Sequence, residues 1–361
     1  MSQVFSNGSK NNYVSFNQDA TSIAVAHNNG CMFYNTSDIV NRSSLQGNSV
    51  GSSKFEHAEC ILVERLFTSG LLVLVDKRDR RVLHVFKLSS AQLIVSHRFS
   101  KTVIAVKLNR DRMVVCLEDN MHIYNLFDMK HLYSMQDLVF SNSVQMDMTV
   151  AEGTALVAVP ESRESGMVFL FDAIRVAPVT NFSAHNAPIA CLKFNEQGNM
   201  LATAGIRGTV IRVYSVPEGK MLHEFCRGAT CVTITSLRFS TNSFYLCSSS
   251  NTDTVHVYKL KEENEDSSVT GWLKSQMKSM SDLISVERSF AYARLPANSS
   301  GNQVAFITSN GAQFLIVASL EGYAYVFHLL ENGGNLPLAQ QHRIGTKPDV
   351  DRVFSVLNPQ N

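Results

Sequence analysis

The 361-residue chain has no long hydrophobic run. No window reaches the roughly 18 consecutive apolar residues of a spanning helix, and no opening run resembles a signal peptide. Any membrane contact is therefore expected to be peripheral and the protein cytoplasmic. Net charge is nearly absent, at +1. No global field draws the chain to nucleic acid, and an anionic partner must be met by a local cluster. The basic run DKRDRR (76–81) lacks interleaved aromatics, which leaves it a solvated hairpin tip. Nucleic acid is not an expected partner.

Chemistry is equally sparse. There is no G-x-S-x-G elbow, no phosphate loop ending in Gly-Lys-Ser/Thr and no H-E-x-x-H. The seven cysteines (31, 60, 116, 191, 226, 231, 247) form no C-x-x-C pair and read as buried, reduced thiols. His and Cys show no metal spacing. The expectation is a monomeric protein with no enzymatic activity, no cofactor and no metal.

What is present is a repeat. Five segments share one order: an apolar strand, a turn, a strand rich in Ala, Val, Ser or Cys, a polar turn, and a strand ending in an aromatic. They begin at Tyr13, Ala105, Cys191, Ser236 and Gln313, the last without its opening strand. Phe194 and Phe239 lie one period of about 45 residues apart; Leu108 and Phe194 are separated by two periods, as are Phe16 and Leu108. LLVLVDKRDRRVLHVFKL (from Leu71) adds a third-and-fourth strand pair and TALVAVPESRESGMVFLFDA (from Thr154) another, making seven units. This predicts an all-β, single-domain, seven-bladed β-propeller of degenerate WD-type repeats over 1–345, with a polar tail at 346–361. Asn41–Lys54 reads as a linker between blades one and two, and Pro296–Asn310 as an insertion in blade seven. One terminus is expected to supply a strand that closes the ring.

In blade six, 261–288 opens on the charge run KEENED and continues as SVTGWLKSQMKSMSDLISVERSF. On a helical wheel Trp272, Leu273, Met277, Met280, Leu283 and Ile284 fall within about 140° of one another. Lys274, Lys278, Ser281, Asp282 and Ser285 occupy the sector from roughly 180° to 280°. The only Trp thus sits on the apolar face of an amphipathic segment, where an indole suits the headgroup–acyl boundary. The same face could instead pack on the propeller or on a protein partner.

The order AH…LATA-x-x-x-GT-x-IRV-x-S…F-x-RG…SSSNT-x-TVH-x-x-KL, with SAHNAPIACLKF, LNRDRMVVCLEDNMHIYN and SFAYARLP, resembles the PROPPIN propellers, closest to the WIPI one and two branch. The likeness runs from Tyr13 to about Arg343. It implies binding of phosphatidylinositol 3-phosphate and 3,5-bisphosphate at a Phe-Arg-Arg-Gly motif, whose two arginines each complete one headgroup pocket. Here the first is Cys226, and only Arg227 remains.

Carried over, the second pocket comprises Arg227, Gly228, Ser250, Thr254 and His256. The first, weakened by Cys226, comprises His185, Thr203, Gly208, Thr209 and Arg212, with Gly205 where relatives offer a hydroxyl. A guanidinium presents paired planar donors to phosphate oxygens, hydroxyls and amides fill the remaining acceptor sites, and a thiol replaces none of them. Protonated His256 would tighten anion binding under mildly acidic conditions. The resemblance also implies insertion of the 261–288 loop into the bilayer and recruitment of autophagy proteins to a groove between blades two and three. Arg110 matches a basic position there, while Phe127 stands where relatives carry Arg. Two functions stay open: a phosphoinositide-binding scaffold at autophagosome-precursor and endosomal membranes, or a protein-only propeller scaffold that has lost strong lipid binding.

Overall fold

The computed structural model describes residues 11–41, 51–136, 146–260, 288–296 and 299–345. Seven sheets are arranged as the blades of a propeller. Blade one is β1–β4 (Tyr13–Phe16, Ser22–His27, Gly30–Asn35, Ser52–Glu56) and blade two is β5–β8 (Cys60–Arg65, Leu71–Asp76, Val82–Lys87, Gln92–Arg98). Blade three is β9–β12 (Val103–Leu108, Arg112–Leu117, Met121–Asn125, His131–Met135). Blade four is β13–β16 (Asp147–Met148, Leu156–Pro160, Met167–Asp172, Ala177–Ser183). Blade five is β17–β20 (Ile189–Phe194, Met200–Gly205, Val210–Ser215, Met221–Cys226). Blade six is β21–β24 (Ile234–Phe239, Tyr245–Ser250, Thr254–Lys259, Ala291–Arg294), extended by a short parallel strand, β28 (Gly334–Asn335). Blade seven holds β25–β27 (Gln303–Ser309, Ala312–Ser319, Tyr323–His328) and β29 (Leu338–Arg343). Within each blade, chain neighbours pair antiparallel, which needs only short turns.

Hydrophobic period explains each strand's place. Second strands are covered on both faces, so β2 (SIAVAH) is buried along its whole length. Third strands alternate: in β19, Ile211 and Val213 point into the core while Val210 and Arg212 are half-exposed. Outer strands such as β8 are mostly exposed. The core is divided into seven apolar clusters, one between each pair of adjacent blades. Blades thus adhere face to face with aliphatic and aromatic side chains and burial holds the ring together.

Four expectations need correction. Asn41–Lys54 does not link two blades. A short helix, α1 (Thr36–Asn41), caps β3, and Ser52–Lys54 already belong to β4 of the same blade. Blade seven has its opening strand, β25, inside the stretch read as an insertion; the run of Gly, Asn and Ser before it masked the change of period. The strand pairs from Leu71 and Thr154 are second and third strands of blades two and four. No strand from one terminus completes the sheet of the other among the described residues. The ring instead closes by packing blade one on blade seven, with Asn11 N–H donating to Leu320 O (2.9 Å) and Gly345 N–H to Tyr34 Oη (2.7 Å).

The innermost strands bring charges together around a cavity of about 220 Å³ lined by Tyr13, Lys107, Asp147, Lys193 and Arg238 among others. Lys193 Nζ lies 2.8 Å from Asp147 and Lys107 Nζ 3.0 Å from Glu64. Arg238 donates to the carbonyls of Asn17 (3.2 Å) and Gln18 (2.6 Å). All seven cysteines are free thiols, but the expectation that all are buried is corrected: Cys226 is half-buried at a strand end and Cys231 is exposed on the turn that follows.

Candidate functional site

The joint between blades five and six is built on Phe225. This ring is fully buried against Tyr258 (centroids 4.8 Å), and strand alternation then turns Cys226 half outward, opposite Val210. Past the strand end, the N–H groups of Arg227 (2.9 Å) and Gly228 (3.5 Å) converge on the carbonyl of Thr209. That pinned backbone aims Arg227 across the joint into blade six. Its Nη2 donates to Ser250 Oγ (3.0 Å) and Thr252 Oγ1 (2.8 Å), which bond each other at 2.9 Å. Arg227 Nε is buried without a hydrogen-bond partner, and no carboxylate pairs with the guanidinium among the described residues. A half-buried cation held only by neutral hydroxyls retains unused donors and an uncompensated charge. Around Gly228 a Cβ would meet nothing within 4 Å, so the approach is open.

His256, third residue of β23, faces the same cradle; its Nδ1 is buried and unpartnered. Burial and then the adjacent Arg227 charge hold its pKa down to about 4. The imidazole is therefore neutral under mildly acidic conditions, and the expectation that such conditions tighten binding through His256 is corrected. Thr254 opens β23 and pairs with Arg294 of β24 rather than bonding Arg227. Arg294 is exposed, with its guanidinium 6.0 Å from the Tyr292 ring, and no carboxylate pairs with it among the described residues. Sequence reasoning missed both Thr252 and Arg294. Thr252 was visible as the last hydroxyl of SSSNT, two residues after Ser250. Arg294 reaches this face only through a pairing that spans residues 261–287, which no local pattern signals.

The other pocket is assembled but already satisfied. His185 shares a hydrogen bond with Thr203 Oγ1 (2.9 Å), and Thr203 is completely buried. Burial and then Arg212 push the His185 pKa down to about 4. Arg212 donates to Glu224 Oε2 (2.7 Å) and to the Ala184 carbonyl (2.7 Å). Glu224 is its direct cross-strand partner, a pairing the sequence reading did not identify. Gly208 is a backbone position: φ is +60° and a Cβ would lie 2.0 Å from the Val232 carbonyl. Thr209 contributes the carbonyl that pins Arg227. At Gly205 an added Cβ would stand 3.4 Å from the His185 ring, so a hydroxyl-bearing side chain would fit but is absent.

Elsewhere, the Arg110 guanidinium lies 4.2 Å from the Phe67 ring, bridging blades two and three, and Phe127 is 97% exposed on the blade-three turn. Trp272, Leu273, Met277, Met280, Leu283 and Ile284 lie outside the described residues, as does the 346–361 tail.

Fold and joint together define a seven-bladed propeller in which, among the described residues, Arg227 reaches across from blade five to blade six and meets hydroxyls but no carboxylate. The chain belongs to the PROPPIN family, whose model matches residues 11–344. It is 45% identical to autophagy-related protein 18 of Caenorhabditis elegans, covering 95% of this chain and 88% of that protein. It is 35% identical to WD repeat domain phosphoinositide-interacting protein 2 of Xenopus laevis, covering 92% of this chain and 78% of that protein. Among solved structures, Kluyveromyces lactis Hsv2 with complete loop 6CD superposes with a TM-score of 0.76 at 19% identity, covering 93% of this chain and 99% of that one. The complex of KlAtg21 with the coiled-coil of AgAtg16 contributes a chain with a TM-score of 0.73 at 21% identity, covering 93% and 100%. At such identities the structural likeness speaks for the fold alone.

Proposed function

We propose that the protein is a phosphoinositide-binding peripheral membrane scaffold that reads phosphatidylinositol 3-phosphate and 3,5-bisphosphate in autophagosome formation or endosomal traffic. The observation that carries this reading is the contrast between two arginines: Arg212 is neutralised by Glu224, whereas Arg227 meets only the hydroxyls of Ser250 and Thr252. A phosphate entering the open side above Gly228 would take the unused donors of Arg227, with Arg294 on the same face. Family membership and the phosphoinositide-interacting relatives support the same ligand class. The amphipathic 261–288 loop supplies a second, apolar attachment, which raises residence far above that of either contact alone. The protein acts as a cytoplasmic monomer drawn to autophagosome-precursor and endosomal membranes. An autophagy protein docks between blades two and three, where the Arg110 guanidinium lies over the Phe67 ring and Phe127 is exposed on the blade-three turn.

A protein-only scaffold is the second reading, favoured by the losses in the first pocket (Cys226, Gly205 and the Arg212–Glu224 pair). Vesicle flotation separates the two. The protein is expected to float with vesicles carrying the 3-phosphate lipid and to sediment with vesicles lacking it; equal behaviour would leave only the protein-only scaffold.

The pH response has a defined sign. The pKa values of His185 and His256 are lowered from 6.5 to about 4, so the fold favours their neutral forms. Their contribution to stability is whole above 6.5, declines as the pH falls from 6.5 towards 4, and levels off below that. Flotation is accordingly expected not to tighten between about pH 7.5 and pH 6, within the range where an unperturbed imidazole would titrate. The melting midpoint is expected to fall below pH 6.5, the ordinary histidine value. A marked rise in binding over the first interval would contradict this assignment.

A further inference from the structure

The lipid joint has a repeat-equivalent between blades one and two. Arg227 immediately follows the outer strand of blade five, and His57 immediately follows the outer strand of blade one. Ser250 ends the second strand of blade six, and Asp76 ends the second strand of blade two. His256 is the third residue of its strand and pairs with Ser248; His84 is the third residue of its strand and pairs with Leu74. The same backbone cradle therefore occurs twice with opposite chemistry. Where the joint of blades five and six offers an arginine and a hydroxyl to an anion, the joint of blades one and two offers two imidazoles around a carboxylate.

The geometry of this second cradle is compact. His57 Nδ1 lies 3.5 Å from Asp76 Oδ1 and His84 Nε2 lies 3.2 Å from Asp76 Oδ2. One ligand atom from each residue falls within 4.8 Å of the others, the sole such group among the described residues. The side chains are only 18%, 21% and 17% exposed, and the Phe86 ring stacks edge-on against His57 at 5.3 Å. Asp76 Oδ1 and His84 Nδ1 are buried with no hydrogen-bond partner, so the cluster is incompletely satisfied by protein alone. Tetrahedral metal sites with bonds of about 2.0–2.2 Å place neighbouring N and O ligand atoms about 3.3–3.5 Å apart; each imidazole lies close to that distance from one of the two Asp76 oxygens, and the three residues lie close enough together to converge on one ion. The basic turn that follows is partly neutralised by its own partners, Lys77 by Glu59 (2.6 Å), and Arg81 and Arg98 by Asp79 (3.3 and 2.7 Å).

We propose that His57, Asp76 and His84 form a binding site for a divalent transition-metal ion of the zinc class, clamping blade one to blade two. Two imidazoles and one carboxylate suit that class rather than calcium or magnesium, which take all-oxygen shells. Cys60 Sγ lies 3.6 Å from His57 Nδ1 and donates to the Ala58 carbonyl (3.1 Å). Sequence spacing concealed the cluster because its members come from two blades, His57 just past the end of β4, Asp76 at the end of β6 and His84 within β7.

The test uses the full chain, freed of any histidine tag and dialysed against chelator, titrated with Zn²⁺ alone by calorimetry at neutral pH. Wild type is expected to bind one equivalent and to gain melting temperature. His84→Gln and Asp76→Asn are each expected to weaken binding roughly a hundredfold or more, beyond what outer-shell losses produce. His131→Gln, which alters the exposed His122–His131 pair on blade three (3.3 Å), is expected to leave it unchanged. No binding by wild type, undiminished binding by His84→Gln, or loss in His131→Gln overturns the proposal. Should the first two variants fail to fold, X-ray absorption of zinc-loaded wild type decides. A shell with two imidazoles supports the site, and a sulfur-dominated or all-oxygen shell rejects it.

Discussion

Replacing Arg227 by Ala is expected to lower affinity for 3-phosphorylated headgroups at least tenfold. The change removes every guanidinium donor from the joint and leaves Ser250 and Thr252 bonded only to each other. Charged hydrogen bonds contribute about 1.5–3 kcal/mol each, which sets the tenfold floor. Lysine at the same position restores the charge but not the planar fork, so Arg227→Lys should recover only part of the loss. The fold should tolerate both changes, because Arg227 takes part in no ion pair among the described residues and its Nε is already unpartnered. Surface plasmon resonance on captured vesicles, with the melting midpoint recorded alongside, separates a binding defect from an unfolding one. Affinity equal to wild type in a folded Arg227→Ala variant would remove the second pocket from the account.

The largest loss of stability is expected far from that joint, at the propeller axis. Asp147 is buried, pairs with Lys193 at 2.8 Å and accepts the backbone N–H of Phe194 at 2.8 Å. Asp147→Ala leaves an ammonium and an amide unpaired in a cavity, and breaking a buried pair in this way costs about 3–5 kcal/mol. Burial already depresses the Lys193 pKa despite Asp147, so without the carboxylate this lysine is expected to release its proton more readily. Replacing both partners together, as Asp147→Leu with Lys193→Met, should cost less than the single change, since no charge is then stranded. Denaturant titration of the three variants measures this order. A single variant as stable as wild type would show that the axial charges are hydrated rather than paired.

Much of the fold was legible because its signals are local and repeated. The period of about 45 residues carries over from Phe194 to Phe239, and alternation within VIRVYS and TVHVYK marks the third strands. Errors fell where local signals and topology diverge. Ser52–Lys54 read as linker because an outer strand that buries only Phe55 has little apolar pattern to offer. β25 was hidden by the Gly-, Asn- and Ser-rich run before it. The terminal strand exchange expected from ring closure was replaced by side-chain packing between blades one and seven, which no sequence period encodes.

The site was partly legible for similar reasons. Arg227, Ser250 and His256 could be placed from motif order, and the structure brings them to one joint. Their electrical state could not be placed, since it depends on neighbours distant in sequence. Glu224 cancels Arg212, burial and Arg227 suppress the protonation of His256, and Arg294 arrives beside Thr254 by strand pairing. Cys226 therefore marks only part of the difference between the pockets; an internal ion pair supplies the rest.

The most direct measurement is a calorimetric titration of the full chain with the soluble headgroup inositol 1,3-bisphosphate. One cradle built on Arg227 predicts one site per chain in wild type and none detectable at the same concentrations in Arg227→Ala. Two sites of similar affinity, or one site that survives Arg227→Ala, would contradict it.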